Sequence, residues 1–82
     1  MNIIRTFNSK AYPNLPYGVN LSIIDSTPGI IRTQIEIDDW CNDTLGEEGK
    51  LWVGVLVVED GKNNMFYFKT EQHRNWFILK WS

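Results

Sequence analysis

The feature that most constrains the fold is a valine-rich segment at positions 51–59, which is apolar through Val58. Asp60-Gly61 follows this run, and an Asp-Gly pair favours a tight hairpin turn. A second β-type segment, residues 65–69, follows the turn and is predicted to pair with the first. Because both alternating faces of the first strand are largely apolar, we expect it to be a central strand that is covered on both sides.

A helix is predicted before this hairpin. Apolar residues recur at helical spacing on one face over residues 37–45. Residues 30–36 fit both strand alternation and helical spacing, so the helix is predicted to begin near Asp38-Asp39. Both acids would then lie in the first turn, where they interact favourably with the helix dipole. Gly46 is predicted to end the helix, and Glu47-Glu48-Gly49 is predicted to form an exposed connector.

Shorter elements complete the predicted order. They are a strand at 2–7, a loop at 8–18, a strand at 19–25, a turn at 26–29 and a helix at 71–77 that Thr70 caps. Residues 78–81 fit either a last helical turn or a short closing strand. The chain is therefore predicted to be one α+β domain over residues 1–82. It would have a small antiparallel or mixed sheet, one main helix packed on it and a short C-terminal helix. The residues predicted to be mostly buried in the core are Ile37, Trp40, Cys41, Leu45, Val53, Val55, Val57, Phe66, Phe68 and Phe77.

Composition bounds the location of the protein. A single cysteine, Cys41, excludes the internal disulfides on which small secreted domains usually depend. The longest strongly apolar run has eight residues, 51–58, whereas about 20 are needed to span a bilayer. The N-terminus lacks the apolar segment of a signal peptide. We therefore expect a cytoplasmic protein that makes no contact with a membrane.

Charge is distributed unevenly along the chain. Residues 1–35 carry three basic and one acidic side chain, for a net charge of +2, and residues 61–82 carry four and one, for +3. Residues 36–60 carry eight acids and one lysine, for a net charge of −7. Because polyanion binding normally needs a basic face, this distribution disfavours nucleic acid as the partner.

The acidic segment is the clearest candidate site. We interpret it as a docking face for a host or phage protein with a basic surface, and exposed tryptophan or tyrosine would add contact area. The candidate residues are Glu36, Asp38, Asp39, Asp43, Glu47, Glu48, Trp52 and Tyr67. The alternative interpretation is that the acids only solvate one face of the helix.

No catalytic, cofactor-binding or metal-binding residue is predicted. Cys41 and His73 could suggest a nucleophile and a base, but Cys41 lies on the apolar face of the predicted helix and His73 is predicted to lie at the surface. The acids lack the spacing of a calcium-binding loop, and no phosphate loop or nucleophile elbow is present. We therefore expect a protein that is not an enzyme and has no cofactor.

The second half of the chain also carries a resemblance. Residues 37–49 run into a strand with Trp52, residues 65–69 are aromatic, and the chain closes on Phe77-Ile78-Leu79-Lys80-Trp81. This order over about residues 37–81 resembles small uncharacterised proteins of tailed bacteriophages, which often end in Phe-x-Leu-Lys/Arg-Trp. The resemblance brings no catalytic motif. It implies a viral protein of the host-cell cytoplasm that redirects a host protein or blocks a host defence.

Three functions follow from these observations. The leading hypothesis is a non-enzymatic protein-interaction module, a phage-encoded inhibitor or modulator of a host protein. A small structural or accessory subunit, either a virion component or a homo-oligomer, is the first alternative. The second is a single-stranded nucleic-acid binder that uses Phe66, Tyr67 and Phe68 as a stacking platform beside Lys69.

Overall fold

The structure, a computed structural model, describes residues 2–23, 27–57 and 63–81. Its elements in chain order are β1 (Asn2–Asn8), β2 (Tyr17–Ile23), α1 (Thr27–Leu45), β3 (Trp52–Val57), β4 (Asn63–Phe68) and α2 (Glu71–Trp81). The strands form one four-stranded sheet in the order β1-β2-β4-β3, and every neighbouring pair is antiparallel. The predicted α+β class is therefore confirmed, with the antiparallel form of the sheet.

The two helices share one face of the sheet. α1 lies against β3 and β4, whereas α2 lies against β2 and β4. The helices also contact each other, because the ring centroid of Trp40 lies 6.4 Å from that of Phe77 and 6.3 Å from that of Trp81. The buried core between the layers consists of Val19, Leu21, Ile37, Cys41, Leu45, Trp52, Phe66, Phe68 and Phe77. A strand-strand-helix unit thus occurs twice in a two-layer sandwich.

Helix α1 begins eleven residues earlier than predicted, at Thr27 instead of Asp38. The predicted turn at 26–29 is wrong from Thr27 onward, because Pro28 lies in the first turn of the helix, where its missing N–H is tolerated. Asp38-Asp39 consequently lies in the interior of the helix and gains nothing from the dipole of its first turn. The predicted end is confirmed: Gly46 follows the last helical residue with a φ of 91°.

Strand β3 is an edge strand, so the prediction of a central strand is wrong. Among the described strands it pairs only with β4, which separates it from β2. Its alternation is also reversed relative to the prediction, because Trp52 faces the helices whereas Val53 and Val55 lie on the opposite face and are half-buried. An apolar run with two apolar faces does not specify which face a helix covers. The predicted Asp60-Gly61 turn lies outside the described residues.

The sheet face away from the helices is covered at one end by the loop between β1 and β2. The ring centroid of Tyr12 lies 4.7 Å from that of Tyr67, and Leu15 is buried. Phe7 packs edge-on against the same tyrosine, with 5.8 Å between the ring centroids. Val53, Val55 and Met65 stay half-buried on this face. We call it the open face.

Helix α2 is capped as predicted but is longer. The N–H of His73 donates to Thr70 Oγ1 over 3.2 Å, and the helix continues through Trp81, so residues 78–81 are helical. Arg74 packs the first turns of α2 against strands β1 and β2. Its guanidinium lies 5.2 Å from the centroid of the Tyr17 ring and donates to the Phe7 carbonyl over 3.3 Å.

Candidate protein-interaction site

Four of the predicted acids meet where α1, the connector after it and the start of β3 come together. They line an open depression of about 270 Å³. Its lining residues are Asp38, Asp39, Asn42, Glu47, Glu48 and Trp52. We call this feature the acidic depression. Residues from the end of α1, the connector and the start of β3 meet here, because Gly46 ends the helix and the connector turns back along β3.

The remaining acids follow the solvent side of α1. Glu36, Asp39 and Asp43 are spaced three and four residues apart, which places them in one row on a helix, and all three are exposed. This acidic ridge meets the acidic depression at Asp39. The acidic depression and the acidic ridge therefore share Asp39, and together they contain all six predicted acids.

A buried hydrogen-bond chain positions Asp38 at the wall of the depression. Asn64, on β4, is fully buried, and its Nδ2 donates to Gln34 Oε1 over 2.7 Å. Gln34 Nε2 in turn donates to Asp38 Oδ1 over 3.1 Å. Two amide side chains thus hold one carboxylate from the core side, while the carboxylate itself faces the acidic depression.

The electrostatic surroundings of Asp38 disfavour its charge. Burial raises its pKa to about 6, and the nearby Glu48 and Asp39 carboxylates add to the rise, whereas the Gln34 hydrogen bond opposes it. Within the described parts of the chain, Asp38 forms no ion pair. The fold therefore keeps a half-buried carboxylate among other acids, with no basic partner in the described part of the chain.

The connector after α1 is fastened to the outer edge of β3. Glu48 Oε2 accepts a 2.8 Å hydrogen bond from the N–H of Gly54, and the Gly49 N–H donates to the Trp52 carbonyl over 2.7 Å. Trp52 Nε1 donates to the Gly46 carbonyl over 2.8 Å. Tryptophan and connector thereby fix the position of Glu48 beside the strand.

Gly54 is a site residue that the sequence analysis missed. A Cβ at this position would lie 2.7 Å from Asp38 Oδ1 and 2.9 Å from Gln34 Nε2. The absence of a side chain lets the Asp38 carboxylate sit directly over β3. A glycine inside an otherwise β-branched run is the signal that could have indicated such a close approach.

The two aromatic candidates do not form one exposed surface with the acids. Trp52 is 2% exposed and faces the helices, at the floor of the acidic depression. Tyr67 is 8% exposed and lies on the open face, packed against Phe7 and Tyr12. Trp52 therefore supports the depression from below, whereas Tyr67 is separated from the acids by the sheet.

The other candidate chemistry is not assembled. Cys41 is buried, and burial, followed by the Asp38 and Glu48 carboxylates, raises its pKa to about 12, so the thiol stays protonated at neutral pH. His73 lies at the start of α2 with its ring centroid 5.2 Å from that of Trp76. Among the described residues, no group of three or more His, Cys, Asp or Glu side chains could hold a metal ion.

The proposed stacking platform is buried. Phe66 and Phe68 are fully buried beneath the helices, and Tyr67 is covered on the opposite face. No ring of this segment is presented to a nucleic-acid base. Large apolar exposure occurs instead on the outer helix surfaces, at Trp76 and Leu79 of α2 and at Ile35 of α1. An exposed tryptophan fits the expectation for a binding surface, whereas Ile35 and Leu79 were not among the predicted residues.

Comparison with known proteins adds no assignment. No protein-family model, no curated protein and no solved structure matches the chain. Within residues 2–23, 27–57 and 63–81, neither helix is both long and apolar enough to cross a membrane.

Proposed function

We propose that this protein is a non-enzymatic protein-interaction module that docks its acidic depression and acidic ridge on a basic surface of another protein. The observation that carries the proposal is the position of Asp38. Its carboxylate is held by buried amides next to two other acids and has no basic partner among the described residues.

Such an arrangement is unfavourable in the isolated protein. An acid that only solvates a helix needs no burial and no buried hydrogen-bond chain, and Asp39 and Asp43 on the same helix have neither. A lysine or arginine of a partner would compensate the charge of Asp38 and form charge-assisted hydrogen bonds in a partly desolvated site. Groups whose charge is destabilised in the free protein are enriched at functional sites.

The acidic ridge contributes at longer range. Exposed charges of one sign steer an oppositely charged partner and raise the association rate more than they deepen the complex. The proposal therefore gives the two groups different roles. The ridge accelerates encounter, and the depression accepts the basic side chain.

The identity of the partner rests on the resemblance to small phage proteins. We propose that the chain is phage-encoded and inhibits or modulates a host protein with a basic surface. That origin stays a prediction from residues 37–81.

The test uses two variants of equal net charge. The first replaces the exposed acids, as Asp39→Asn, Asp43→Asn and Glu47→Gln. The second is a control in which Asn14, Gln72 and Asn75, all exposed and distant in sequence from the acids, become lysine. Each triple variant changes the formal net charge from −2 to +1. Each is used to capture partners from a bacterial lysate, and association rates are then measured against ionic strength.

We expect a basic partner to be captured by the wild type and the control but not by the neutralised variant. Added salt should slow association of the wild type, because exposed charges are screened over about 10 Å at 0.1 M. Equal association rates for wild type and neutralised variant, with no dependence on salt, would mean that the acids only solvate the surface.

A homo-oligomeric accessory subunit is supported by a separate observation. Leu79 is 80% exposed and Trp76 is 41% exposed, and both lie on the outer side of α2. Large apolar side chains exposed side by side are common at subunit interfaces. Sedimentation equilibrium of the wild type and of Leu79→Ser tests this function, which requires a concentration-dependent dimer that the substitution weakens.

A further inference from the structure

We infer that the partner binds as an extended basic segment, which pairs with the free edge of β3 and becomes a fifth strand of the sheet. This inference rests on the proposed function and specifies the form of the partner. Strand addition at an exposed sheet edge is an established mode of peptide recognition, in which backbone hydrogen bonds supply affinity and side-chain positions supply specificity.

The direction of the backbone groups of β3 is known from its contacts. The Trp52 carbonyl and the Gly54 N–H both bond to the connector, so these two residues present their backbone groups away from β4. In an antiparallel ladder this direction alternates along the strand. Leu56 therefore also directs its N–H and carbonyl outward. The connector covers the start of this edge, and among the described residues nothing pairs with it from the Gly54 carbonyl to Leu56.

The chemistry beside this free edge is acidic. An ideal Cβ on Gly54 would lie 2.7 Å from Asp38 Oδ1, which places that carboxylate on the helix side of the sheet at the level of Gly54. In a paired strand, the side chain opposite Gly54 would point to the same side, with its Cβ about 5 Å from the Gly54 position. Because Gly54 has no side chain, a lysine or arginine at that place could extend over it to Asp38.

Glu48 occupies the place of the incoming strand. Its carboxylate accepts the Gly54 N–H, which a carbonyl of an added strand would accept instead. Exchange of these acceptors preserves the hydrogen bond to Gly54 and releases the Glu48 carboxylate. The released carboxylate then lies within the same acidic depression as Asp38, where it adds to the attraction for a basic side chain.

The other edge of the sheet lacks these features. β1, the strand at the opposite edge, contains no acid and carries Arg5. A basic segment would gain backbone pairing there but no electrostatic attraction. The two edges therefore differ in the property that selects a basic strand, and β1 serves as the internal control.

The experiment uses a synthetic heptapeptide of alternating lysine and valine as the probe. A matched control peptide has the same residues, but backbone N-methyl groups replace two N–H donors on each side of the extended chain. It keeps its charge and cannot pair with a strand through backbone hydrogen bonds. Binding is followed by amide chemical shifts of the full-length protein, and hydrogen exchange is measured at Gly54 and Leu56, with Ile4 of β1 as reference.

We expect the unmodified peptide to bind at least about tenfold more tightly than the control, which corresponds to about 1.4 kcal/mol. Exchange at Leu56 should slow by about tenfold or more on binding, whereas exchange at Ile4 should not change. Asp38→Asn should weaken binding of the unmodified peptide, and Asp43→Asn, a ridge variant away from the edge, should weaken it less.

The outcomes separate the inference from the function on which it rests. Equal binding of the two peptides, with shifts confined to the acids, overturns strand addition and leaves acidic docking intact. Protection of the β1 amides in place of Leu56 also overturns it. If neither peptide binds at low salt, both the inference and the proposed acidic docking site are wrong.

Discussion

The two faces of the sheet are covered in different ways. On the helix side, α1 and α2 bury the rings of Phe66, Phe68 and Phe77 completely, and the Phe66 and Phe77 centroids are only 5.1 Å apart. On the open face, one loop covers Tyr67, while Val53 and Val55 stay half-buried. We expect most of the free energy of folding to come from the helix side, because that is where apolar surface is removed from water most completely.

The difference in burial between the two faces indicates where the site can be altered without unfolding the protein. The acidic depression lies at the margin of the helix side, directly over β3, so its innermost members are coupled to the core. The side chains of the acidic ridge are exposed, and Asp39 is the member that also lines the depression. Substitutions in β3 and β4 therefore measure how much each face of the sheet contributes to stability. Substitutions of the acids measure how strongly the acidic depression is coupled to the core.

The largest effect is expected from adjacent residues of β4 that point to opposite faces. Phe66→Ala should lower the free energy of unfolding by about 3–5 kcal/mol, because it removes a fully buried ring and leaves a cavity. Met65→Ala, on the open face, should lower it by about 1 kcal/mol. Chemical denaturation measures both values. Similar losses for the two variants would mean that the open face is packed as tightly as the core.

A smaller effect is expected from adding one methyl group to a glycine of β3. Gly54→Ala should destabilise the protein by about 1–3 kcal/mol, because the new Cβ would overlap Asp38 and Gln34, and the latter is held by buried Asn64. Gly18→Ala places its Cβ against the outer atoms of the half-buried Phe7 ring on the open face, and it serves as the comparison. Denaturation midpoints compare the two, and a harmless Gly54→Ala would show that α1 does not approach β3 closely.

Val55→Ala measures the open face directly. Truncating a valine in the core of a central strand would cost about 1–3 kcal/mol. Because Val55 is half-buried and faces away from the helices, we expect Val55→Ala to cost about 1 kcal/mol or less. A loss near 3 kcal/mol by urea denaturation would indicate that the open face is covered in solution, for example by a second copy of the chain.

The sequence predicted the identity of most elements because local signals specify them. Gly46 ends α1, Thr70 caps α2, and the alternation in β2 and the β-branched run in β3 indicate strands. Six of the ten predicted core residues are buried. They are Ile37, Cys41, Leu45, Phe66, Phe68 and Phe77. Trp40, Val53 and Val55 are half-buried, and the side chain of Val57 is not described.

The features that were not predicted depend on long-range packing. The start of α1 is not predicted because residues 30–36 fit both the two-residue period of a strand and the 3.6-residue period of a helix. Packing of α1 on β3 and β4 favours the helix. The edge position of β3 was missed because strand order is not encoded in one strand. The acids are predictable as a group, but the hydrogen bonds that position Asp38 are not. The bond from Asn64 to Gln34 joins two residues that are 30 positions apart in the sequence. No local pattern reports such a contact.

The smallest effect, and the one most informative about the site, is expected from Asp38→Asn. Its pKa is raised from an ordinary 3.8 to about 6 in the folded protein, so between these pH values the folded state retains a proton that the unfolded state has released. The contribution of Asp38 to stability is therefore most favourable below about pH 4 and falls as the pH rises to about 6. Asparagine keeps an oxygen that can accept from Gln34 and carries no charge.

We expect Asp38→Asn to stabilise the free protein at pH 7.5 by about 0.5–1 kcal/mol, less than the full pKa difference would give, because solvent screens a half-exposed group. The gain should vanish only at about pH 3 or below, where wild-type Asp38 is protonated in both the folded and the unfolded state. Urea denaturation at both pH values measures it, and Asp39→Asn, exposed on the same helix, controls for the loss of one charge.

If Asp38→Asn is instead less stable than the wild type at pH 7.5, the charge of Asp38 is already compensated within the chain, and the main argument for a basic partner is lost. If it is more stable yet binds the basic peptide more weakly, the protein gives up folding stability at the residue that its partner contacts, which is the trade-off expected of a binding site.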